Sequence, residues 1–295
     1  MIKQTLFFAS PAFLSLRYNQ LVIQRGEREE TITRPIEDIG FVIIENQQVR
    51  FTVPLLNALA EHHVSVIFCN NCSMPCSMLM PLESNVIQQE IYRYQTEITK
   101  PNQKRIWKDI VTAKIRNQAA LLHQLGKDGD GLRPYYKNVM SGDATNREGA
   151  AARFYWQQLY GPEFCRLRKG TPPNGLLNYG YTILRAAVTR ARLGSGLFPA
   201  FGLFHRNRYN AFPLADDVME PYRPFVDEIV YTLYQNNPQV VLDTEIKQQL
   251  VRVLHADVLM NKQVHPLQIA LTYTSASLVK AFKEKNECIK YPTFV

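Results

Sequence analysis

One feature constrains this chain more than any other: the hydrophobic period changes near residue 84. Before it, short apolar runs at residues 5–9, 12–18, 21–24 and 40–44 are separated by charge and turn-forming residues, and Phe13, Ser15 and Arg17 alternate with Leu14, Leu16 and Tyr18. Alternation at a period of two predicts half-buried strands. After it, Val86, Ile87, Ile91 and Tyr94 recur at spacings of three and four, and Ile106, Ile110, Ala113, Ile115 and Ala119 continue the pattern. That period predicts helices. The fold class that follows is α+β, a small N-terminal β-domain over residues 1–84 followed by a larger all-helical domain of six to eight helices over residues 85–295.

Within the first part, Thr52 and Pro54 open a short helix carrying Leu55, Leu56, Leu59 and Ala60, residues 64–69 read as a compact strand and residues 78–82 as another. In the second part Pro101 separates two helices, the longer reaching Leu125, and residues 126–146 read as a loop. Further helices are expected over 176–192, closed by Gly194-Ser195-Gly196, and over 225–234, 245–255 and 267–283.

Charge divides the same way. Residues 1–84 hold 6 Lys/Arg against 8 Asp/Glu, and residues 85–295 hold 28 against 18, a net of +10. A basic second part favours an anionic partner, most simply double-stranded DNA. No apolar run reaches the length of a membrane span. Residues 1–17 have the look of a short signal peptide, but Tyr18-Asn19-Gln20-Leu21 leads straight into a second apolar run, which predicts a β-hairpin and a cytoplasmic protein with reduced thiols. Cys69, Cys72 and Cys76 stand in CNNCSMPC, one cysteine short of a four-ligand zinc site. They are expected to be free thiols flanking a buried strand.

The densest chemistry lies at residues 202–224, GLFHRNRYNAFPLADDVMEPYRP. His205 precedes Asp216, Asp217 and Glu220, a mixture suited to Mg²⁺ or Mn²⁺. Asp217 and Glu220 are three residues apart, so on a helix they share a face and are close enough to share an ion. Arg206, Arg208 and Arg223 stand among them, and guanidinium groups pair two phosphate oxygens at once. The plainer reading is an acidic helix start that offsets the helix dipole. Glu148 has a plain reading too, since Thr145 and Glu148 fit the S/T-x-x-E capping box, although a helix start beside Arg147 and Arg153 also suits phosphate.

Three blocks, NREGAAARFYW at 146–156, FGLFHRNRYN at 201–210 and LADDVMEPYRPFVD at 214–227, together with NYGYTIL at 178–184, resemble the CRISPR-associated spacer-acquisition integrase, the universal adaptation nuclease of those immunity systems. The details look most like the version that accompanies a single-protein RNA-guided effector, in type II systems. The resemblance implies a metal-dependent DNA endonuclease that inserts short foreign fragments into a repeat array by 3′-hydroxyl transesterification. It implies Glu148, His205 and Glu220 as catalytic metal ligands for Mg²⁺ or Mn²⁺, with Asp217 as an assisting acid, and Arg147, Arg206, Arg208 and Arg223 as DNA contacts. It also implies a homodimer formed through the β-domain, a small partner protein bridging two dimers, and the RNA-guided effector nuclease as a further partner. The rival expectations are a non-catalytic DNA-binding scaffold and a metal-dependent repair nuclease for branched DNA.

Overall fold

The computed structural model describes residues 3–25, 31–167, 170, 172–204, 207–284 and 286–295. The chain divides into two compact units, Met1–Ser84 and Asn85–Val295.

The first unit holds eight strands among its described residues and one helix: β1 (Gln4–Phe8), β2 (Phe13–Arg17), β3 (Gln20–Gln24), β4 (Thr31–Pro35), β5 (Ile39–Ile44), β6 (Arg50–Phe51), α1 (Val53–Glu61), β7 (Ser65–Cys69) and β8 (Pro75–Met78). They form two sheets, in the orders β1-β5-β7-β8 and β4-β3-β2-β6. β5 is parallel to both β1 and β7, and all six of its residues are buried, which is why IGFVII is a continuous apolar run rather than an alternating one. β2 and β3 form the predicted hairpin, with Tyr18 and Asn19 at φ 50° and 55° in the two-residue turn, the left-handed pair that matches strand twist. Thr52 precedes α1 in extended conformation and Pro54 lies in its first turn. The common core includes Leu14, Leu21, Ile39, Val42, Leu55 and Val66.

One strand escapes the sequence pattern and one expectation is corrected here. β4 gives no apolar signal because it is an edge strand, exposed along all but Pro35. The strand expected at 78–82 lies earlier, as β8, paired antiparallel with β7 and leaving Leu82 on the surface.

The second unit contains α2 (Gln88–Thr96), α3 (Lys100–Gln124), α4 (Arg133–Lys137), α5 (Arg147–Tyr160), α6 (Asn174–Gly194), α7 (Pro213–Met219), α8 (Arg223–Asn236), α9 (Thr244–Val251) and α10 (Leu267–Lys283). One hairpin, β9 (Asp257–Met260) with β10 (Gln263–Pro266), interrupts them. These nine helices among the described residues exceed the expected six to eight, because α4 folds within the segment read as a loop at 126–146, between 3₁₀ turns at Asp130–Leu132 and Ser141–Asp143.

α3 and α6 are the long buried helices. Pro101 sits in the first turn of α3, where the missing N–H is no loss. α6 passes α8 at Gly180, where an added Cβ would lie 2.4 Å from Val226 Cγ1. Residues beyond α10 fold back on the helices: Phe294 stacks on Phe225 with ring centroids 4.3 Å apart, and Pro292 O accepts from Asn117 Nδ2 at 3.0 Å.

Candidate active site

The site grows from α3. The buried face of this helix carries Trp107, Val111, Lys114, Gln118 and Leu121. An ammonium in such a row is costly unless paired, and Lys114 is paired twice. Its Nζ donates to Glu148 Oε1 at 2.6 Å and lies 2.6 Å from Glu220 Oε2. Burial alone would lower the Lys114 pKa; Glu220, then Glu148, outweigh it and hold the group above its ordinary value.

Glu148 stands in the first turn of α5. The capping-box reading of Thr145 with Glu148 is corrected by the geometry. Asn146, left-handed at φ 50°, is the N-cap, and its side chain accepts from Gly149 N. Asp143 takes the next two orphan amides, accepting from Arg147 N at 2.8 Å and Glu148 N at 3.0 Å. With the helix start closed by these two residues, the Glu148 carboxylate is directed to Lys114 instead.

Glu220 opens a 3₁₀ turn, Glu220–Tyr222, between α7 and α8. Pro221 ends the regular hydrogen-bonding of α7, since proline has no N–H to give. Asn117, three residues beyond Lys114 on α3, donates to Pro221 O at 2.7 Å. Arg223 Nη2 holds the other oxygen of Glu220 at 2.9 Å. The Arg223 guanidinium also lies 4.6 Å from the centroid of the Tyr181 ring. Behind that ring is buried Asp227, which accepts from Tyr155 OH at 2.7 Å and from Tyr181 OH. Burial pushes the Asp227 carboxyl up to about 6, against the opposing pull of the two hydroxyls and Arg223.

Asp217 and Glu220 are directed to different partners, although the backbone stays right-handed through Glu220. Asp217 is fully buried and its Oδ2 accepts from the amides of Leu203 and Phe204 at 2.6 and 3.0 Å. It thereby fixes the loop just ahead of position 205. Asp216 is engaged differently again, paired with Arg185 Nε at 3.0 Å and accepting from Asn210 Nδ2 at 2.7 Å. The same loop is held at its start by Gln95, whose amide accepts from Phe198 N and donates to Phe198 O.

Of the expected ligands, Glu148 and Glu220 are brought together on one cation; His205 and the expected DNA contact Arg206 lie outside the described residues. Among the described residues no group of three or more His, Cys, Asp or Glu is placed to hold a metal. Two hard carboxylates converging within 2.6 Å of the Lys114 ammonium nevertheless fit Mg²⁺ or Mn²⁺ by donor type. Arg208 is exposed and stacks over Tyr209, 4.7 Å from its centroid. Arg147 is half-buried, and its Nε has no hydrogen-bond partner among the described residues. Cys69 is buried at the end of β7, and Cys72 and Cys76 are exposed free thiols on the turn and strand that follow.

Sequence reasoning missed Lys114, Asn117, Asp143, Tyr155, Tyr181 and Asp227. Lys114 carried a usable signal, a cation inside the apolar row of a helix, and the others acquire meaning only through the fold.

A family model described as CRISPR associated protein Cas1 matches residues 6–264. The CRISPR-associated endonuclease Cas1 of Neisseria meningitidis serogroup C (strain 8013) is 38% identical over 289 residues, covering 97% of this chain and 94% of that protein. Among solved structures, a casposase bound to integration product superposes with a TM-score of 0.76 at 20% identity, over 98% of this chain and 92% of the other. A chain of a Cas6-RT-Cas1–Cas2 complex gives a TM-score of 0.70 at 19% identity, over 96% of this chain and 35% of that longer one.

Proposed function

The chain belongs to the CRISPR-associated Cas1 family, and from that premise we propose that it is a metal-dependent DNA endonuclease and integrase that inserts short DNA fragments into a CRISPR array by attack of a 3′-hydroxyl on a phosphodiester. The observation that carries the reading is the convergence of Glu148 and Glu220 on a single positive charge, 2.6 Å from each. Transesterification of DNA asks for neutralised phosphate charge and an aligned nucleophile. Bound Mg²⁺ or Mn²⁺ supplies that neutralisation and polarises the reacting oxygens.

The chain's own residues do the rest. Glu148 and Glu220 hold the ion, with His205 as the third ligand implied by the family motif. Arg223 orients the Glu220 carboxylate, and Asn117 holds the turn that carries it through Pro221 O. Asp217 positions the loop that carries the histidine rather than acting as a ligand through Oδ2. Arg147, Arg206 and Arg208 contact phosphates, while Arg223, held against Glu220 and Tyr181, acts mainly as a positioning residue.

The second unit grips duplex DNA through its excess of Lys and Arg. Two copies pair through the first unit, whose edge strand β4 is exposed along all but Pro35 and can accept an added strand. A small Cas2-type protein bridges two such dimers, and the RNA-guided effector nuclease is the further partner. Among the described residues no helix is long and apolar enough to cross a membrane, in keeping with action on DNA in the cytoplasm.

Strand transfer of a labelled fragment into a repeat-bearing plasmid, with Mg²⁺, Mn²⁺ or chelator, tests the reading. Activity that survives chelation, or survives Glu220→Ala, overturns it. DNA binding without any transfer under all conditions points to a scaffold.

A further inference from the structure

The last turn of α6 carries a charge that the carboxylate site does not use. Arg192 is 0% exposed, and its Nε, Nη1 and Nη2 all lack a hydrogen-bond partner among the described residues. A guanidinium is all donor and no acceptor. Burying one without an acceptor or a counter-ion is strongly unfavourable. Burial pulls the Arg192 pKa down only to about 10, so the charge persists at neutral pH.

The helix end does not neutralise it. Free carbonyls in a last turn attract cations, but those of Ala191, Arg192 and Leu193 already accept from the amides of Ser195, Leu197 and Gly196. The segment beyond α10 is committed as well. Lys290 O accepts from Thr274 Oγ1, and Pro292 O accepts from Asn117 Nδ2.

Two phenols accompany the guanidinium. Tyr291 and then Tyr222 are the ionisable groups that act on it, and their rings meet edge to face with centroids 6.0 Å apart. Their hydroxyls differ. Thr274 Oγ1 gives its single proton to Lys290 O, so the Tyr222 hydroxyl donates to Thr274 Oγ1. The Tyr291 hydroxyl is buried with no partner among the described residues. Burial holds the Tyr291 pKa well above its ordinary value, against the pull of Arg192, so this phenol keeps its proton. A guanidinium and a phenol are therefore two donors without an acceptor in one buried place.

The acceptor that suits them carries a single negative charge. Water accepts from both donors but leaves the charge uncompensated. Sulfate or phosphate brings two charges against one guanidinium, where the carboxylates of Asp217 and Asp109 already act on Tyr291. An organic carboxylate needs a path for its carbon tail, and the guanidinium nitrogens and the Tyr291 oxygen are closed to solvent. A bare spherical anion has neither difficulty. We propose that the protein holds a halide ion, chloride under physiological conditions, between the Arg192 guanidinium and the Tyr291 hydroxyl. The ion ties α6 to the segment beyond α10 and offsets the cost of the buried charge. This inference is independent of the reading of the protein as a DNA enzyme.

The test follows thermal unfolding of the full chain, free of DNA, while potassium chloride replaces potassium glutamate at fixed ionic strength. The wild-type melting temperature should rise by about 3–5 °C for each tenfold increase in chloride once the site is half filled. Arg192→Leu should not respond, and in glutamate alone it should melt above the wild type, because an unpaired buried charge is gone. Tyr291→Phe should keep the response but need about tenfold more chloride, the weight of one hydrogen bond to an ion. Bromide should replace chloride, and crystals grown with it should show an anomalous peak between Arg192 and Tyr291. A wild type indifferent to chloride, which is the behaviour expected if water satisfies the donors, overturns the site. So does a response that persists unchanged in Arg192→Leu. A bromide peak that appears only at molar concentration marks an adventitious ion only and overturns it too. If Arg192→Leu fails to fold, Tyr291→Phe and the bromide peak decide the question.

Discussion

Lys114 Nζ sits 2.6 Å from a carboxylate oxygen of Glu148 and 2.6 Å from one of Glu220. An ammonium holds the place where a divalent ion is expected. Lys114→Met removes the stand-in and leaves two carboxylates facing each other in a largely buried site. The expected cost is roughly 3 kcal/mol, the scale for breaking a buried ion pair. Mn²⁺ should then raise the melting temperature of Lys114→Met by more than it raises that of the wild type, because the variant binds the ion without displacing a lysine. Calorimetry with and without Mn²⁺ reads both effects, and equal shifts would remove Lys114 from the ion's place.

The start of α5 divides stability from chemistry. Asp143 accepts from the amides of Arg147 and Glu148, so Asp143→Ala should cost about 1–2 kcal/mol as the loss of a helix cap. Glu148→Ala should melt close to the wild type yet abolish metal-dependent strand transfer, with DNA binding retained. An active Glu148→Ala enzyme would end the ligand assignment.

Asp227 gives a pH signature. Its folded pKa, raised by burial from 3.8 to about 6, means that the folded state holds a proton the unfolded chain has already lost. Its stabilising contribution is fully present below pH 3.8 and is lost as the pH rises through about 6. At full size the effect is about 3 kcal/mol. Asp227→Asn should flatten this dependence, so the melting temperature of the variant should gain on the wild type between pH 4 and pH 7. Parallel curves for the two proteins would show that Asp227 titrates near its ordinary value.

Gly180→Ala places a methyl 2.4 Å from Val226 Cγ1 where α6 crosses α8. Overpacking of this kind costs about 1–3 kcal/mol. Adding Val226→Ala should recover part of that loss, measured by urea denaturation. If the two changes are additive, the contact is not the cause.

Binding to blunt duplex DNA should weaken with salt at a log–log slope of about −0.9 for each phosphate neutralised. A flat dependence would leave the net +10 of residues 85–295 without a DNA-binding role.

The sequence was most informative where burial and local preference agree. IGFVII announces β5 because both of its faces are covered, and the α10 pattern runs through Leu267–Lys283 as expected. It was silent at β4, where TITRP is an exposed edge, and at the β9–β10 turn, where Asn261 and Lys262 adopt φ 53° and 66° without a glycine to mark them. It misled where a motif fitted the spacing but not the backbone. Thr145 and Glu148 are correctly spaced for a capping box, yet Asn146 turns left-handed and Asp143 reaches in from an earlier turn. Asp217 and Glu220 are spaced for one helical face, yet Asp217 is taken by the amides of Leu203 and Phe204 while Glu220 pairs with Lys114 and Arg223. In each case a tertiary hydrogen bond decides what the local pattern leaves open.

Asn117 donates through one amide group to Pro221 O and to Pro292 O. Chain tails ordinarily fray first and independently of the interior. Here the carbonyl of Pro292 and the carbonyl next to Glu220 share a donor, so peeling the tail away strips a bond from the residue that anchors the catalytic turn. Loosening the segment around Pro292 is therefore expected to loosen the turn that presents Glu220 as well, through a single asparagine.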